Sequence, residues 1–571
     1  MKRYFNILKE KGFVIADVIA SLFFAFFLTV GYSVKTTGGI ELIKNNLIKS
    51  IAEYLGYSVM LFVAFSVAAM LVDIAVEKDS IRIVGKGMFG AYLKYLREKP
   101  FVTTFITLFI CFLPFFVAAF PGLVMSDNKA QLAGAFNTAS FNHYAVDYTG
   151  SKLDNHHPIL HTLLLYGCIR LGVVIFGSFN AGLFLYTLIQ FLFMLCCFSY
   201  VVKIFTEYGF SDFWNIVFML YVLFAGGHLT RYMFLATKDI IYTGFMLLFL
   251  SGAFKIFKDK KMNFMLIFSG LGMMAFRKDA YYILLLSLIF AIILVSWKRR
   301  TGWTLIIALV LIGIVVVHSL WNNALLPAAG IMQGSKREML SLPFQMTARY
   351  VRDCGNDVTE EEKNAIDAVL SYDTLAEEYN PRHSSPVKNG FKEDSTSDDM
   401  KNYFKAFFSM MKKHPNVYFY ALLEFKYELF YPVPFNKAYY NYDSAQKTMG
   451  ELNEILKDEG ADFSFPKSEA LTGYRGVIYS IQTALSTYPV IGIFSSSSTY
   501  TWTLILLALY AIVRKNKYVF LMCVPFLAII ALCIVGPQSG AHIRYLYPIQ
   551  MAMVPLIAMS MNIFRNCQRS N

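Results

Sequence analysis

The sequence predicts an all-α polytopic membrane protein. Hydrophobic residues make up 56% of the 571 residues and charged residues only 16%, whereas a soluble domain carries about a quarter charged residues. Apolar runs of about 18 or more residues, the length at which a helix crosses a bilayer, recur along the chain. The polar and apolar alternation of a membrane β-barrel is absent, so we expect helical spans.

Thirteen apolar runs are visible, and one of them differs from the rest. His161 and Arg170 interrupt the run 158–176, and such residues are costly in a lone helix that faces lipid. We therefore expect this run to be a helix on the outer membrane surface, which leaves about twelve transmembrane helices. The runs lie near 13–34, 52–75, 101–120, 158–176, 180–202, 213–235, 239–257, 262–276, 280–297, 303–320, 497–513, 518–536 and 544–564.

Short basic clusters beside these runs set the predicted orientation. Lysine and arginine collect on the cytoplasmic side of membrane proteins. With the run 158–176 on the surface, both termini and the clusters at 258–261, 298–300 and 514–517 are cytoplasmic. Counted as a span, the same run would place all three clusters outside. The formal charge of +13 therefore indicates topology rather than nucleic-acid binding.

The order of the runs divides the chain into three parts. Residues 1–320 are predicted to form a transmembrane module, whose long outer loop, 121–176, carries acid and base groups. Residues 321–495 have the composition of a soluble domain and are expected to form a mostly helical extracytoplasmic insert. Residues 496–571 supply the C-terminal transmembrane helices. The polar outer segments thus collect on one face of the membrane.

Asp127 is the first candidate for chemistry. A carboxylate just outside a span can act as a general base toward an acceptor hydroxyl. Ser126 and Asp127 before Asn128 also match the pattern of a helix N-cap. These residues alone leave catalysis and capping open.

Two adjacent histidines form the second candidate. His156 and His157 stand before Pro158, which fits the first position of a helix. At the aqueous boundary they could bind a phosphate or ligate a metal, and His157 and His161 have the i and i+4 spacing of metal ligands. Anchoring at the membrane interface is the simpler interpretation.

Five cations occupy the predicted outer face, where the positive-inside bias leaves few. Such residues are often only interface anchors. Together, however, they predict an anionic partner such as a lipid-linked phosphate or diphosphate. The five are Arg231, Lys238, Arg277, Lys278 and Arg544.

The cysteines give no signature of a disulfide or a zinc site. Of the eight, only Cys354 falls in the long polar region, where it has no local partner. No spacing of cysteine and histidine typical of zinc occurs. We therefore expect free thiols.

Several short motifs resemble those of the GT-C superfamily of polytopic glycosyltransferases. In particular they resemble a bacterial branch, the DUF6020-type membrane proteins. The similarity covers residues 101–350 well and the rest of the chain by architecture. The motifs are Pro121-Gly122, Ser126-Asp127 and Gln131, then Asp154-Asn-His-His-Pro158 with His161, then Thr237-Lys238-Asp239, and the stretch from Arg337 to Gln345.

The resemblance implies a GT-C-like fold and an inverting-type transfer of a sugar from a polyprenyl-phosphate donor to a cell-envelope acceptor, such as teichoic acid or a cell-wall polysaccharide. Asp127 would be the catalytic base and Asp239 an assisting acid, and the five cations would hold the donor phosphate on the extracytoplasmic face. No cofactor is expected, because Ser126-Asp127-Asn128 lacks the paired acids of metal-dependent members. Substrate contacts are expected from Gln131, His156, His157, Glu338, Gln345 and His542.

Two other functions remain open. A flippase or other transporter of lipid-linked glycans would need polar groups at mid-membrane and usually repeated halves, and neither is evident in the sequence. A polymerase or ligase of lipid-linked glycans would use much the same donor chemistry. The chain has no GxxxxGK[ST] loop, so we expect an activated donor that arrives through the lipid rather than as a nucleotide.

Overall fold

The residues described by the computed structural model are 7–78, 83–137, 153–225, 227–296, 302–331, 333–433, 441–536 and 543–570. Within these ranges every regular element is a helix, apart from two isolated β-bridges. Nine of the described helices are long and apolar enough to cross a membrane, and four shorter apolar helices accompany them. One of the nine is Ile159–Phe176, so the prediction that this run lies on the membrane surface is not confirmed. The prediction of a helical multi-pass membrane protein is confirmed, while the number of twelve spans and the GT-C-like fold stay predictions.

The first part of the chain contains α1 (Lys11–Thr37), α2 (Glu41–Asn45), α3 (Leu47–Lys78), α4 (Gly87–Glu98) and α5 (Pro100–Ala119). α1 ends at Gly38, whose φ of 73° is the left-handed conformation that glycine adopts without strain at the end of a helix. α1 packs along α3, and the buried Asp17 accepts a hydrogen bond from Ser66 across this contact at 2.6 Å. Such internal bonds satisfy polar groups that lipid cannot.

The middle part contains α6 (Ser126–Ala135), α7 (Ile159–Phe176), α8 (Phe179–Glu207), α9 (Asp212–Phe224), α10 (Gly227–Tyr232), α11 (Lys238–Asp259), α12 (Phe264–Phe276) and α13 (Ala280–Ala291). α7 and α8 form a hairpin with Gly177 in the turn, at a φ of 62°. Their backbones approach closely, because a Cβ at Gly172 would lie 2.1 Å from the amide nitrogen of Gly182. This approach fixes α7 against the first turns of α8.

The insert follows α14 (Gly302–Leu320), a π-helical turn (Trp321–Leu325) and α15 (Leu326–Ala328). It is helical, as predicted, and contains α16 (Ser341–Cys354), α17 (Glu360–Asp367), α18 (Tyr372–Glu378), α19 (Ser385–Asn389), α20 (Ser397–Lys413), α21 (Pro415–Lys426), α22 (Tyr442–Ile455) and α23 (Glu469–Thr487). α16 to α21 share a hydrophobic core of their own around Phe344, Tyr403 and Tyr418. This core docks on the end of α1, where Val34 packs against Leu423.

The chain closes with α24 (Ser497–Val513), α25 (Lys517–Val535) and α26 (Ile543–Ser570), of which α26 packs against the central α11. The bundle has two polar ends. We name the end where α5 finishes and α11 begins the site end, and the end where α11 finishes the basic end. The insert contacts the site end, where Lys129 of α6 pairs with Glu451 of α22 at 2.6 Å.

Candidate functional site

Two loops at the site end lie side by side and position the candidate acids. The amide of Leu123 donates to the carbonyl of Phe234 at 3.0 Å, and the amide of Ala236 donates to the carbonyl of Leu123 at 2.7 Å. Gly122 is needed at this approach, since its φ is 148° and a Cβ would lie 2.2 Å from the hydroxyl of Thr187. The pairing places the start of α6 beside the start of α11.

A buried polar network holds the start of α6 in this position. The side chain of Asn128 accepts a hydrogen bond from the amide of Met125 and donates to the carbonyl of Ala236, each at 2.8 Å. It also donates to Gln131 at 3.3 Å. Asn128 and Gln131 are buried, so the loss of one bond would leave a polar atom unpaired at a cost of about 1–3 kcal/mol.

The network continues through His161 to α8. Gln131 donates to His161 Nδ1, and His161 Nε2 lies against the hydroxyl of Tyr186, each at 2.7 Å. Tyr186 donates to Gln190 at 3.0 Å, and Gln190 donates to two carbonyls of the loop before α11 at 2.9 Å each. The bonds are consistent when His161 is neutral with its proton on Nε2. Both ring nitrogens are engaged, so His161 positions the loops and does not support the metal-ligand interpretation.

Asp127 lies at the centre of a charged cluster. Its Oδ2 accepts hydrogen bonds from Lys238 Nζ at 3.3 Å and Arg544 Nη1 at 3.1 Å, and His157 Nδ1 lies 3.8 Å away. Burial opposes ionisation of this carboxyl, but Arg544 and Lys238 hold its pKa well below the ordinary value. Burial and Lys238 also lower the pKa of His157, so this imidazole is neutral. Asp127 is the second residue of α6, so N-capping does not account for it.

Asp239, the second candidate acid, has different surroundings. Its carboxylate is fully buried, with Arg277 Nη1 at 3.0 Å from one oxygen and Arg544 Nε at 3.3 Å from the other. Asp279 accepts two further hydrogen bonds from Arg277, at 2.8 and 2.5 Å. Burial opposes the charge of Arg277, yet Asp279 and Asp239 raise its pKa above the ordinary value. Asp239 therefore orients two arginines.

A cavity of about 1070 Å³ opens beside this cluster, between α12, α13, α14 and α25. Lys238, Arg277 and Lys278 line its polar end. The remaining wall is mostly apolar and includes Leu271, Met274, Leu320, Leu325, Ile529 and Leu532. A cavity with one cationic end and apolar walls suits an amphiphile with an anionic head.

Lys278 stands out among the cations of the cavity. Within the described ranges it forms no ion pair, whereas Lys238 and Arg277 each pair with carboxylates. Its side chain is accessible from the cavity, but the surrounding protein buries it enough to lower its pKa to about 8, against the opposing charge of Asp154. Lys278 is thus placed to receive an anion from the cavity.

The start of the insert closes the polar end of the cavity. Glu338 lines the cavity beside His156 and pairs with Lys388 of α19, with oxygen to nitrogen distances of 2.7 and 2.6 Å. The backbones are in contact there, because a Cβ at Gly334 would lie 2.6 Å from the Cα of His156. Two predicted substrate-contact residues, His156 and Glu338, therefore reach the cavity from different parts of the chain.

Two other predicted site residues lie elsewhere, and a third cannot be placed. Arg231 donates to Gln482 of α23 at 3.1 Å and so joins the insert to α10. Gln345 is buried in the insert, where it donates to the carbonyl of Asn380 at 2.8 Å. His542 lies outside the described residues.

Comparison with known proteins assigns a family. A match to DUF6020, described as a family of unknown function, spans residues 4–570. The chain belongs to the DUF6020 family. No curated protein and no solved structure matches it. The DUF6020 part of the predicted resemblance is thus confirmed, and membership of the GT-C superfamily stays a prediction.

Sequence reasoning missed several residues that position the acids in this DUF6020 protein. Asn128 and Asp279 are direct neighbours of predicted residues, and their roles depend on contacts between loops that the sequence does not reveal. Tyr186 and Gln190 lie within an apolar run. A glutamine in such a run is a signal of a buried partner, because an unpaired polar group there is costly.

Proposed function

We propose that this protein is a membrane glycosyltransferase that moves a sugar from a polyprenyl-phosphate donor to a cell-envelope acceptor on the extracytoplasmic face. The observation that carries the proposal is the cavity beside Asp127. Its polar end offers Lys238, Arg277 and Lys278, and its wall between the helices is apolar. A phosphate attached to an isoprenoid chain has the same division into a charged head and an apolar tail.

Lys278 supports a phosphate site most directly. It reaches the cavity and forms no ion pair within the described residues. The lowering of its pKa to about 8 indicates that burial makes its charge costly in the absence of an anion. A phosphate beside Lys278 and Lys238 would stabilise that charge.

In the proposed reaction an acceptor hydroxyl attacks the anomeric carbon of the donor sugar. A bond forms between that carbon and the acceptor oxygen, and the bond from the carbon to the phosphate oxygen breaks. Polyprenyl phosphate leaves with the electron pair, and the acceptor proton passes to Asp127. Lys238 and Lys278 stabilise the negative charge that grows on the leaving group.

The ion pairs of Asp127 would couple the base to the donor. In the absence of a donor, Arg544 and Lys238 keep the carboxyl ionised and lower its pKa, which makes it a weak base. A phosphate would draw Lys238 away, and the pKa of Asp127 would rise toward its ordinary value. The base would then be strongest when the donor is bound. Asp239 stays paired with its two arginines in this proposal and positions them.

The contacts of α7 place it between the insert and α8. Arg170 of α7 lies 3.6 Å from Glu459 of the insert. On α8, α7 meets Gly182 and Tyr186, which lie near the start of that helix. α7 also packs along α8 and against α12, and its length and composition would allow it to cross a membrane, so its surface position stays a prediction.

Binding and transfer by the purified protein test the proposal. We expect Lys278→Ala to weaken the binding of a polyprenyl-phosphate sugar about 10–100-fold, since a hydrogen bond to a charged group contributes about 1.5–3 kcal/mol. Lys203→Ala is the matched control, because Lys203 lies toward the basic end and pairs there with Glu207 at 3.5 Å. Transfer of the sugar into isolated envelope glycans is followed in the same preparations.

Donor binding and sugar transfer test different parts of the proposal. Equal affinity in Lys278→Ala and the control would contradict a phosphate site at this cavity. Normal binding without transfer from any polyprenyl-phosphate sugar would contradict the transferase and favour a carrier of lipid-linked glycans.

A further inference from the structure

Three side chains with metal-binding atoms meet on the insert. Cys354 is the last residue of α16, Asp357 ends the short 3-10 turn that follows, and His414 lies between α20 and α21. The thiol sulfur, a carboxylate oxygen and an imidazole nitrogen all lie within 4.8 Å of one another. Thiolate, carboxylate and imidazole are the ligand types that zinc takes in proteins. None of the three residues lines the cavity of the proposed site.

The spacing of these atoms is close to that of a metal site. Ligands at about 2.0–2.3 Å from a tetrahedral zinc lie about 3.4–3.6 Å from one another. His414 Nε2 and Asp357 Oδ2 are 2.7 Å apart in a hydrogen bond. A metal that replaces the shared proton would widen this pair by less than about 1 Å, and the widest pair would close by little more than about 1 Å. Side-chain rotation is sufficient for both changes.

The cation beside His414 is engaged by groups other than the three ligand atoms. Lys413 is adjacent, but its Nζ is held away by Glu362 at 2.7 Å and by the carbonyl of Asp357 at 3.0 Å. The ring of His414 packs against Tyr350, with centroids 5.6 Å apart. Packing of this kind fixes a ligand before the metal binds, which a metal site requires.

We propose that Cys354, Asp357 and His414 bind a divalent cation of the zinc type, with a water molecule as the fourth ligand. The metal links the end of α16 to the end of α20 and so stabilises the core of the insert. It takes no part in the proposed transfer, because its ligands lie outside the cavity. A test of this metal site is therefore independent of the proposed function.

Cobalt(II) is the probe, because it occupies zinc sites and its bond to a thiolate gives a charge-transfer absorption. The full-length protein in detergent is titrated with Co²⁺ and then with Zn²⁺. We expect a single bound Co²⁺ with the thiolate band, displaced by Zn²⁺. The band should be lost in Cys354→Ser, and Co²⁺ affinity should fall about tenfold or more in Asp357→Asn and in His414→Gln. Cys111→Ser and His383→Gln are matched controls that should keep the band and the affinity.

A thiolate band that persists in Cys354→Ser, or the absence of any band in the wild-type protein, would overturn the proposal. A second measurement needs no variant and so does not depend on how a variant folds. Zn²⁺ should slow the alkylation of Cys354 in the wild-type protein about tenfold or more, because a bound thiolate is not available as a nucleophile. Peptide mass spectrometry compares this rate with that of Cys111. Equal alkylation of Cys354 with and without Zn²⁺ would also overturn the site.

Discussion

Charged residues occur at both ends of the bundle, but the two ends use them differently. At the basic end the charges form small groups that join neighbouring helices. Arg514, which follows α24, pairs with Asp73 of α3 at 2.6 Å and with Glu10 at 2.8 Å. Arg97 of α4 donates through Nε to Asp212 of α9 at 3.0 Å. Arg97 is 40% exposed, and pairs near solvent contribute only about 0–1 kcal/mol.

At the site end the charges form one buried network beside a cavity. Arg277, Asp239 and Arg544 expose 8, 0 and 7% of their side chains, and each contacts another member of the network. Buried charges are costly. When hydrophobic residues of similar volume replace a buried ion pair, the protein is often equally stable or more stable. The comparison indicates that the charges of the basic end fasten neighbouring helices to one another, whereas those of the site end are gathered around a cavity.

The largest expected effect is an all-or-none difference in labelling between the two ends. Single cysteines replace Lys260 at the basic end and Asn389 in the insert, in an otherwise cysteine-free chain. In intact cells an impermeant thiol reagent should label the second position and not the first, because the positive-inside bias places the basic end in the cytoplasm. Labelling at Lys260 would reverse the assignment of the two ends and place the proposed site in the cytoplasm.

Removal of one carboxylate at each end should affect transfer very differently. Asp127→Asn should lower the transfer rate about 10²–10⁴-fold, the usual contribution of a general base. Asp73→Asn at the basic end should leave the rate unchanged and lower stability, since it weakens the pair with Arg514 and alters the acceptor of the Tyr510 hydroxyl. Rates are compared at equal amounts of folded protein. Wild-type turnover in Asp127→Asn would move the base to another residue.

The pH dependence of donor binding should show whether Lys278 binds the donor phosphate or is only a surface anchor. Lys278 is charged below its pKa of about 8 and neutral above it, so affinity should be constant at lower pH and fall as pH rises above about 8. The fall should approach about tenfold per pH unit if the charge is essential. The donor phosphodiester does not titrate in this range. Lys278→Arg keeps its charge above pH 8, so the affinity of this variant should not fall there. A fall of the same size in Lys278→Arg would show that titration of Lys278 does not cause the pH dependence.

The sequence was sufficient for the helices and for part of the site. The runs of apolar residues predict the helices because burial in lipid requires them, and the structure brings Asp127, Lys238 and Arg544 together as one cluster. Arg231 was grouped with them from its position at the end of a run, but its guanidinium contacts Gln482. The direction of the Arg231 side chain depends on how the short α10 packs, and the distribution of charges along the sequence does not reveal this packing.

The proposed metal site shows the same limit for residues that are distant in the sequence. Cys354 and His414 have no zinc-type spacing, and their proximity arises only because α16 and α20 share one core. Patterns within one segment are predictable from physical rules of local structure. Contacts between segments require the fold.

The smallest expected effect concerns the packing that holds α7 at the site end. A Cβ at Gly172 would overlap the backbone of Gly182, whereas one at Gly167 on the same helix would meet nothing within 4 Å. Gly172→Ala should therefore cost about 1–3 kcal/mol through overpacking, while Gly167→Ala should be neutral or slightly stabilising because alanine favours helix. Thermal unfolding of the two variants measures this difference directly.

Transfer in the same two variants tests whether the packing of α7 also serves the chemistry. A shift of α7 moves His161, whose bonds to Gln131 and Tyr186 connect the start of α6 with α8. Gly172→Ala should consequently lower the transfer rate at temperatures where it is still folded, and Gly167→Ala should not. A destabilised Gly172→Ala protein with full activity would show that α7 is only a structural support of the site end. Asp127 would then be positioned by the loop pairing of Leu123 and by the bonds of Asn128, without α7.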